Sequence, residues 1–289
     1  LSALLSALIM IMLVYAIACS VAVSVLLKLA RRFQLQVAQS VLVNYVVASA
    51  LTLYLLKPSA AALQQALQHW PLLMTLGLLL PSVFLIMAAA VDRAGIARSD
   101  AAQRLSLILP LLAAFILFGE PVSSGKLLGL GLALFALLGL IHREKPTQEL
   151  GKGSLWLLPG VWAGYGIIDI CFKQMAKTGS QFPAILLACF LLAGSFLAAW
   201  LVLRKTRWHL PSLAGGLILG LFNFANIYTY IRAHQSMPDN PALVFTAMNI
   251  GVIVLGSLSG LLLFREQLTR INLAGIVLAA TAILLLIPV

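Results

Sequence analysis

Long runs of apolar residues, broken by short polar gaps, extend along the whole chain. The hydrocarbon core of a bilayer is about 30 Å thick, so a helix that crosses it needs about 20 apolar residues. Ten runs come near that length: 8–28, 36–56, 70–91, 97–118, 124–141, 155–176, 181–203, 213–233, 241–264 and 270–288. The pattern therefore predicts an all-α integral membrane protein with ten transmembrane helices.

The gaps between these runs have the composition of connections rather than of domains. Most are short and contain Pro, Gly or charged residues. The midpoint gap, 142–154, is among the longest, and no soluble domain is expected. No basic segment precedes the first apolar run, so we expect no cleavable signal peptide.

Composition strengthens the membrane prediction and excludes a water-soluble protein. The 289 residues are 62% hydrophobic and 9% charged, whereas soluble domains contain about 25% charged residues. A net charge of +11 is compatible with nucleic-acid binding, but Lys and Arg fall mostly in the gaps. That distribution is typical of loops at an anionic membrane surface. We therefore expect a multi-pass protein of the cell membrane, in contact with the lipid bilayer and with no nucleic acid.

An internal repeat relates the two halves of the chain. The segment "FGEPVSSGKLLGLGLALFALLGLI" (118–141) matches "FREQLTRINLAGIVLAATAILLLI" (264–287) at ten of 24 positions, Glu120 and Glu266 included. Residues 1–145 and 146–289 are thus predicted to be two five-helix repeats. After five crossings the chain has changed sides, so the second repeat is inverted. Inverted repeats recur in secondary transporters, which bind substrate between the repeats near the bilayer midplane.

Two long segments resemble a known family. "AAQRLSLILPLLAAFILFGE" (101–120) ends one half and "AMNIGVIVLGSLSGLLLFRE" (247–266) has the matching place in the other. Together with the five-plus-five arrangement, they resemble the drug/metabolite transporter superfamily, in particular its EamA-type branch. The resemblance implies a transporter that moves a small metabolite, an amino acid or a similar solute, usually by export.

Asp169 and Lys173 are two charged residues within an otherwise apolar run. They lie one helical turn apart and share a helix face, and Asp169 is the only carboxylate that we expect well inside a helix. In one interpretation they form a structural ion pair, or Lys173 extends to the interface. In the other, Lys173 binds substrate and Asp169 exchanges a coupling proton, because intramembrane charges usually mark functional sites.

The eighth run carries a polar stripe. Asn223, Asn226, Tyr230 and His234 follow one another at i, i+3, i+7 and i+11, which places them on one helix face. Asn side chains can hold helices together in membranes, and that role remains open. We expect instead that the stripe lines a cavity and that Asn223, Asn226 and Tyr230 bind substrate.

Gln103 and Asn249 are 146 residues apart, the same offset that aligns the repeats. A pseudo-two-fold axis would bring these two amides face to face, for helix packing or for hydrogen bonds to substrate. Arg104 follows Gln103 directly. We expect Arg104 to pair with Asp100 at i, i+4 rather than with an anionic ligand.

Three further features are expected to be structural. Lys28, the repeat mate of Lys173, precedes two arginines and is expected to anchor the helix at the interface. Glu266 lies near a predicted helix start, where a negative charge favours the helix dipole. Gly256 and Gly260 form a G-x-x-x-G spacing, which is typical of closely packed helices.

The sequence offers no grouping that predicts an enzyme. The four histidines are scattered near predicted helix ends, and the three cysteines lack metal-ligand spacing. We therefore expect no catalytic residue, no metal and no cofactor. A secondary transporter that works by alternating access, with proton coupling, is the favoured class. A channel or a lipid flippase of the same fold is the alternative, and an intramembrane enzyme is the least favoured.

Orientation and oligomeric state stay open. The odd-numbered connections contain twelve basic residues and the even-numbered connections four. The positive-inside rule therefore places the odd connections in the cytoplasm and the termini outside, whereas the family resemblance implies cytoplasmic termini. A monomer and a homodimer are both compatible with the sequence.

Overall fold

The computed structural model describes most of the chain outside the region between residues 110 and 155. The described residues are 2–109, 112–113, 128–129, 131–132, 135–136, 138–139, 156–178, 180–236 and 241–286. Within them the secondary structure is helical, with no strand. This confirms the all-α prediction.

Most of the described helices follow the predicted apolar runs closely, but the helix of the fourth run, 97–118, ends at Leu105 before a turn at residues 106–107. Their bounds are α1 Ser2–Arg32, α2 Val37–Leu51, α3 Ala60–Leu67, α4 Trp70–Ala94, α5 Ile96–Leu105, α6 Leu157–Lys177, α7 Phe182–Leu203, α8 Leu210–Ser236, α9 Pro241–Phe264 and α10 Arg270–Leu286. A π-helical turn, Thr52–Leu56, continues α2. The short α3 lies between the second and third predicted crossings, and its N-cap, Ser59, accepts a hydrogen bond from the Ala62 N–H.

Five helical segments within the described residues are long and apolar enough to cross a membrane, and they identify a membrane protein. They are Ile11–Arg32, Val37–Leu56, Trp70–Ala94, Phe182–Leu203 and Leu210–Ala233. Shorter apolar segments occur in α6, α9 and α10. The count of ten and the division into two inverted repeats stay predictions, because the fifth predicted crossing falls largely outside the described residues.

Helices from the two parts of the chain interleave. The most extensive helix pairs are α2 with α8, α1 with α8, and α4 with α6 and α7, each joining a helix before residue 110 to one after residue 156. Glycines allow the closest of these approaches. A Cβ atom at Gly216 of α8 would lie 2.6 Å from the carbonyl oxygen of Ser40 in α2. The bundle core is therefore the interface between the two predicted halves.

Four of the odd-numbered connections between the predicted runs meet at one end of the bundle, which we call the basic end. They are the α1–α2, α4–α5, α7–α8 and α9–α10 connections. The α1–α2 connection is hydrogen-bonded to the α7–α8 connection, and the α9–α10 connection contacts the start of α5. Lys28 near the end of α1 reaches the end of α4. Basic residues in or beside these connections are Arg31, Arg32, Arg93, Arg98, Arg204, Lys205, Arg207, Arg265 and Arg270.

Replacing Gly216 by Ala should destabilise the protein. The added methyl group meets backbone, which cannot rotate away, and overpacking of this kind costs about 1–3 kcal/mol. Gly131→Ala is the matched control, because no atom of the described residues lies within 4 Å of a Cβ there and Ala favours a helix. Thermal unfolding of the purified variants in detergent measures the difference. Equal melting temperatures for the two variants would contradict the close α2–α8 packing.

Candidate functional site

A small polar cavity lies where α1, α4, α5, α6 and α8 meet. Its volume is about 50 Å³. Its walls are formed by Ser20, Val23, Ser24, Leu27, Phe84, Met87, Gln103, Tyr165, Asn223 and Asn226. Three of the sequence-predicted residues, Gln103, Asn223 and Asn226, are thus brought together. Ser20, Ser24 and Tyr165 are polar lining residues that the sequence patterns did not single out as a site.

The two asparagines of the α8 stripe have different surroundings. Asn223 donates a hydrogen bond from Nδ2 to Oδ1 of the buried Asn44 in α2, over 3.0 Å. Asn226 has a buried Oδ1 with no hydrogen-bond partner among the described residues. Buried polar atoms are nearly always paired. Asn223 therefore holds helices together as well as lining the cavity, and Asn226 keeps an acceptor available.

Arg104 is the charged centre of the region. Its Nη2 donates to Ser20 Oγ over 2.9 Å, and its Nη1 lies 3.5 Å from Asn249 Oδ1. Because Ser20 also lines the cavity, this bond links the guanidinium to the cavity wall. Arg104 interacts electrostatically with Asp100, Tyr230, Tyr165 and Asp169. Three predicted site residues from different helices therefore lie around Arg104: Asn249, Tyr230 and Asp169. The sequence had predicted only that Arg104 pairs with Asp100.

Asp100 corrects two sequence expectations. It is the buried carboxylate of this part of the fold, with only 1% of its surface exposed, although its place near a helix start suggested otherwise. Its Oδ1 accepts a 2.6 Å hydrogen bond from Ser24 Oγ, and its Oδ2 has no hydrogen-bond partner in the part of the chain that the structure describes. The expected direct pair with Arg104 is wrong. The two residues interact at longer range, and each makes its hydrogen bonds with other helices.

Asp169 is exposed, unlike Asp100. A helix residue in a membrane bundle is exposed either to lipid or to an internal opening. The interaction between Asp169 and Arg104 indicates the second, because Arg104 lies among α1, α5 and α9. The side chains of Lys173 and His234 fall outside the described residues, so the ion pair between Asp169 and Lys173 and the last step of the polar stripe stay predictions.

A second group of charges joins the helix ends at the basic end. Lys28 donates from Nζ to the carbonyl oxygens of Val91 and Asp92, over 2.9 and 3.0 Å, and lies 3.6 Å from Glu266 Oε1. These carbonyls belong to the last turn of α4, where a cation is favourable. Lys28 is therefore not the interfacial anchor that the sequence favoured.

Glu266 completes this group by binding the start of α5. Both of its carboxylate oxygens accept from the Ile96 N–H, over 2.9 and 3.1 Å. Gly95 makes room, since a Cβ there would lie 2.6 Å from Glu266 Oε2. The expected helix-dipole role thus operates at a helix far away in sequence. We call this group, formed by Lys28, Glu266, the Ile96 N–H and the two α4 carbonyls, the Lys28 cluster.

The described residues contain no cluster of side chains that could form a metal site. Within these ranges no three His, Cys, Asp or Glu side chains come close enough to hold a metal ion. Cys19, Cys171 and Cys189 are buried free thiols. The chemistry available is hydrogen bonding by amides and hydroxyls, with one guanidinium and two carboxylates nearby.

Comparison with known proteins shows the family and the fold. A protein of Haemophilus influenzae, described as an uncharacterized protein, is 49% identical over 280 residues, which are 94% of this chain and 95% of that protein. The chain therefore belongs to the same family as that protein. No family model matches the chain. A solved structure described as the crystal structure of a protein aligns over 96% of both chains with a TM-score of 0.61. Its sequence identity is 14%, so the likeness concerns the fold alone.

Replacing Glu266 by Ala should destabilise the protein by about 1–3 kcal/mol, because a buried N–H loses its acceptors. Glu266→Gln keeps one acceptor oxygen and removes the charge, so it should lose less. Thermal unfolding of both variants separates the hydrogen bonds to Ile96 from the ion pair with Lys28. A wild-type melting temperature for Glu266→Ala would show that the Lys28 cluster contributes nothing to stability.

Proposed function

We propose that the protein is a secondary transporter that moves a small metabolite, an amino acid or a similar solute, across the cell membrane by alternating access. In this proposal it belongs to the EamA-type branch of the drug/metabolite transporter superfamily and acts as an exporter. The observation that carries the proposal is the polar cavity enclosed by helices from both parts of the chain. Polar walls within membrane-crossing helices are costly and normally serve a solute path.

The size of the cavity supports a moving bundle. A water molecule needs about 10–15 Å³ of such space, so a cavity of about 50 Å³ takes a few waters. A metabolite then binds only when the surrounding helices move apart. Carriers pass through such contracted states, whereas an open channel keeps a continuous water path.

In this proposal the Lys28 cluster is the gate for this movement. It connects α1, α4 and α5 to the α9–α10 connection through side chains at the basic end. Its bonds hold helix ends that meet in space but are far apart in sequence, so breaking them releases several helices at once. In this proposal the basic end is closed when the cluster is formed and opens when Lys28 and Glu266 separate.

Substrate binding is assigned to the amides and the charges around the cavity. Asn226 offers an unpaired acceptor, and Gln103 and Asn223 line the same wall. Tyr230 of α8 and Asn249 of α9 are included because both interact with Arg104, which is bonded to the cavity wall. Lys173 remains part of the proposal from its sequence position alone.

Two alternatives are separated by specific observations. A channel of the same fold would conduct without saturation and without counterflow. A lipid flippase would need a path from the bilayer to the cavity. Leu27 borders both the cavity and an apolar crevice between α1, α2 and α8, and this favours the flippase as the second candidate. Scrambling of labelled lipids in proteoliposomes that lack solute counterflow would support it.

The proposal is tested by a thermal-shift screen of the purified protein against amino acids, sugars, nucleosides and organic cations. Each stabilising solute is then measured for saturable counterflow in proteoliposomes. Counterflow of a stabilising solute supports a carrier. A solute that crosses without saturation or counterflow would overturn the carrier in favour of a channel.

Asn226→Ala should weaken the binding of such a solute about five- to tenfold, because one hydrogen bond contributes about 1 kcal/mol. Gln65→Ala, an exposed amide of α3, is the matched control and should bind as the wild type does. Affinities come from the ligand dependence of the melting temperature. Unchanged affinity in a folded Asn226→Ala protein would show that the polar stripe of α8 serves helix packing and does not bind substrate.

Asp169→Asn should abolish the dependence of transport on a pH gradient while leaving folding intact. The amide keeps the shape of the carboxyl group but cannot exchange a proton. Asp92→Asn is the control, since Asp92 is a carboxylate at the basic end that pairs with Arg31. Uptake is measured in proteoliposomes with and without a pH gradient. A gradient effect of wild-type size in Asp169→Asn would exclude this residue as the proton carrier.

A further inference from the structure

An apolar crevice of about 150 Å³ lies between α1, α2 and α8, next to the basic end. Its walls include Leu26, Ala30, Leu35 and Leu219. The one hydroxyl in the wall, Ser40 Oγ, already donates to the Ser212 carbonyl oxygen. The crevice therefore offers a ligand apolar contacts and no free polar group. Apolar spaces of this size stay dry and accept apolar ligands.

The crevice opens on the outer surface of the bundle. Phe33 and Ile218 belong to its wall, and 62% and 47% of their surfaces are exposed. In a membrane protein, such an opening between apolar helix faces meets lipid chains. The occupant suited to the wall is therefore a hydrocarbon chain that enters from the bilayer.

Three exposed cations lie in or beside the two connections next to the crevice. Arg32 precedes the lining residue Phe33, and Lys205 and Arg207 lie in the α7–α8 connection. All three are exposed, and none has an ion-pair partner among the described residues. Two neighbouring arginines already have partners: Arg31 pairs with Asp92, and Arg204 stacks on Trp200 at 4.7 Å.

Hydrogen bonds join the two connections in or beside which these cations lie. Gln39 donates from Nε2 to the Arg207 carbonyl oxygen over 2.8 Å, and its Oε1 accepts from the His209 N–H over 2.9 Å. The Gln36 N–H donates to Ser212 Oγ over 2.8 Å. The two connections are thereby joined next to the lining residues Leu35 and Ser40, so the backbones that carry the three cations border the crevice.

We propose that this crevice and its basic rim bind an anionic phospholipid, with one acyl chain in the crevice and the phosphate at Arg32, Lys205 and Arg207. Charge complementarity selects the head group, and the apolar wall selects a molecule that carries a chain. A bound chain would lie one side chain, that of Leu27, away from the polar cavity. This inference stands independently of the proposed transport function.

The head-group test compares phosphatidylglycerol with phosphatidylcholine of the same acyl chains, added to the full-length protein in detergent. Native mass spectrometry measures the retained lipid. Lys205→Gln/Arg207→Gln should weaken phosphatidylglycerol binding roughly thirtyfold and leave phosphatidylcholine unchanged. Arg265→Gln/Arg270→Gln is the matched control, because it removes two exposed charges from another connection at the same end. It should bind as the wild type does.

The crevice test blocks the mouth. Ile218→Trp places a large side chain at the opening and should reduce the binding of both lipids. Leu217→Trp is the matched control, since Leu217 is an exposed neighbour on α8 outside the crevice wall. Both positions are exposed, so neither change threatens folding.

Three results would overturn the proposal. Equal retention of the two lipids by the wild type would remove head-group selection. Equal losses in the two double variants would reduce the effect to diffuse surface charge. Stabilisation by glycerol phosphate alone, to the same extent as by phosphatidylglycerol, would remove the acyl chain from the site.

Discussion

Arg104 is a guanidinium inside a helix bundle whose outer surface meets hydrocarbon, and the centre of the fold depends on that constraint. Lipid offers no hydrogen-bond partner, so the protein itself must provide the oxygens. Ser20 of α1 and Asn249 of α9 provide them, while Asp100 and Asp169 lie within electrostatic range. One charge thus draws together helices from both parts of the chain. The same requirement leaves polar surface next to it, and that surface is the wall of the cavity.

Two glycines of α9 leave space for carboxylate side chains, in addition to the glycines that let helix backbones approach each other. Gly256 faces the Asp100 carboxylate, where a Cβ would lie 2.6 Å from Oδ2, and Gly260 faces Glu266. Their G-x-x-x-G spacing predicted a close helix approach, and the approach here is that of a carboxylate to a helix. Such a contact needs the space of a missing Cβ because a side chain on the glycine would overlap the carboxylate oxygens. A glycine that leaves space for a carboxylate therefore occurs both at the basic end and at the centre of the fold.

The candidate site was predictable where a local pattern reports on it. The helical period in α8 grouped Asn223 with Asn226, and both line the cavity. The repeat offset selected Gln103 and Asn249, which flank the Arg104 region. Asp100 was missed because its burial comes from Ser24 and Gly256, residues far away in sequence. Distance from a helix end gives no measure of depth when other helices extend beyond that end.

The sequence by itself determined that this is a helical membrane protein and where most helices begin and end. Those properties are local, since about 20 consecutive apolar residues satisfy the bilayer and the backbone bonds within one segment. Only the tertiary structure decided which polar residues meet. Lys28 could have faced the interface, as its neighbours suggested, but the packing of α1 against α4 directs it to the last carbonyls of α4. Partner choice depends on helix rotation and depth, and these are set by contacts between segments that no single stretch of sequence contains.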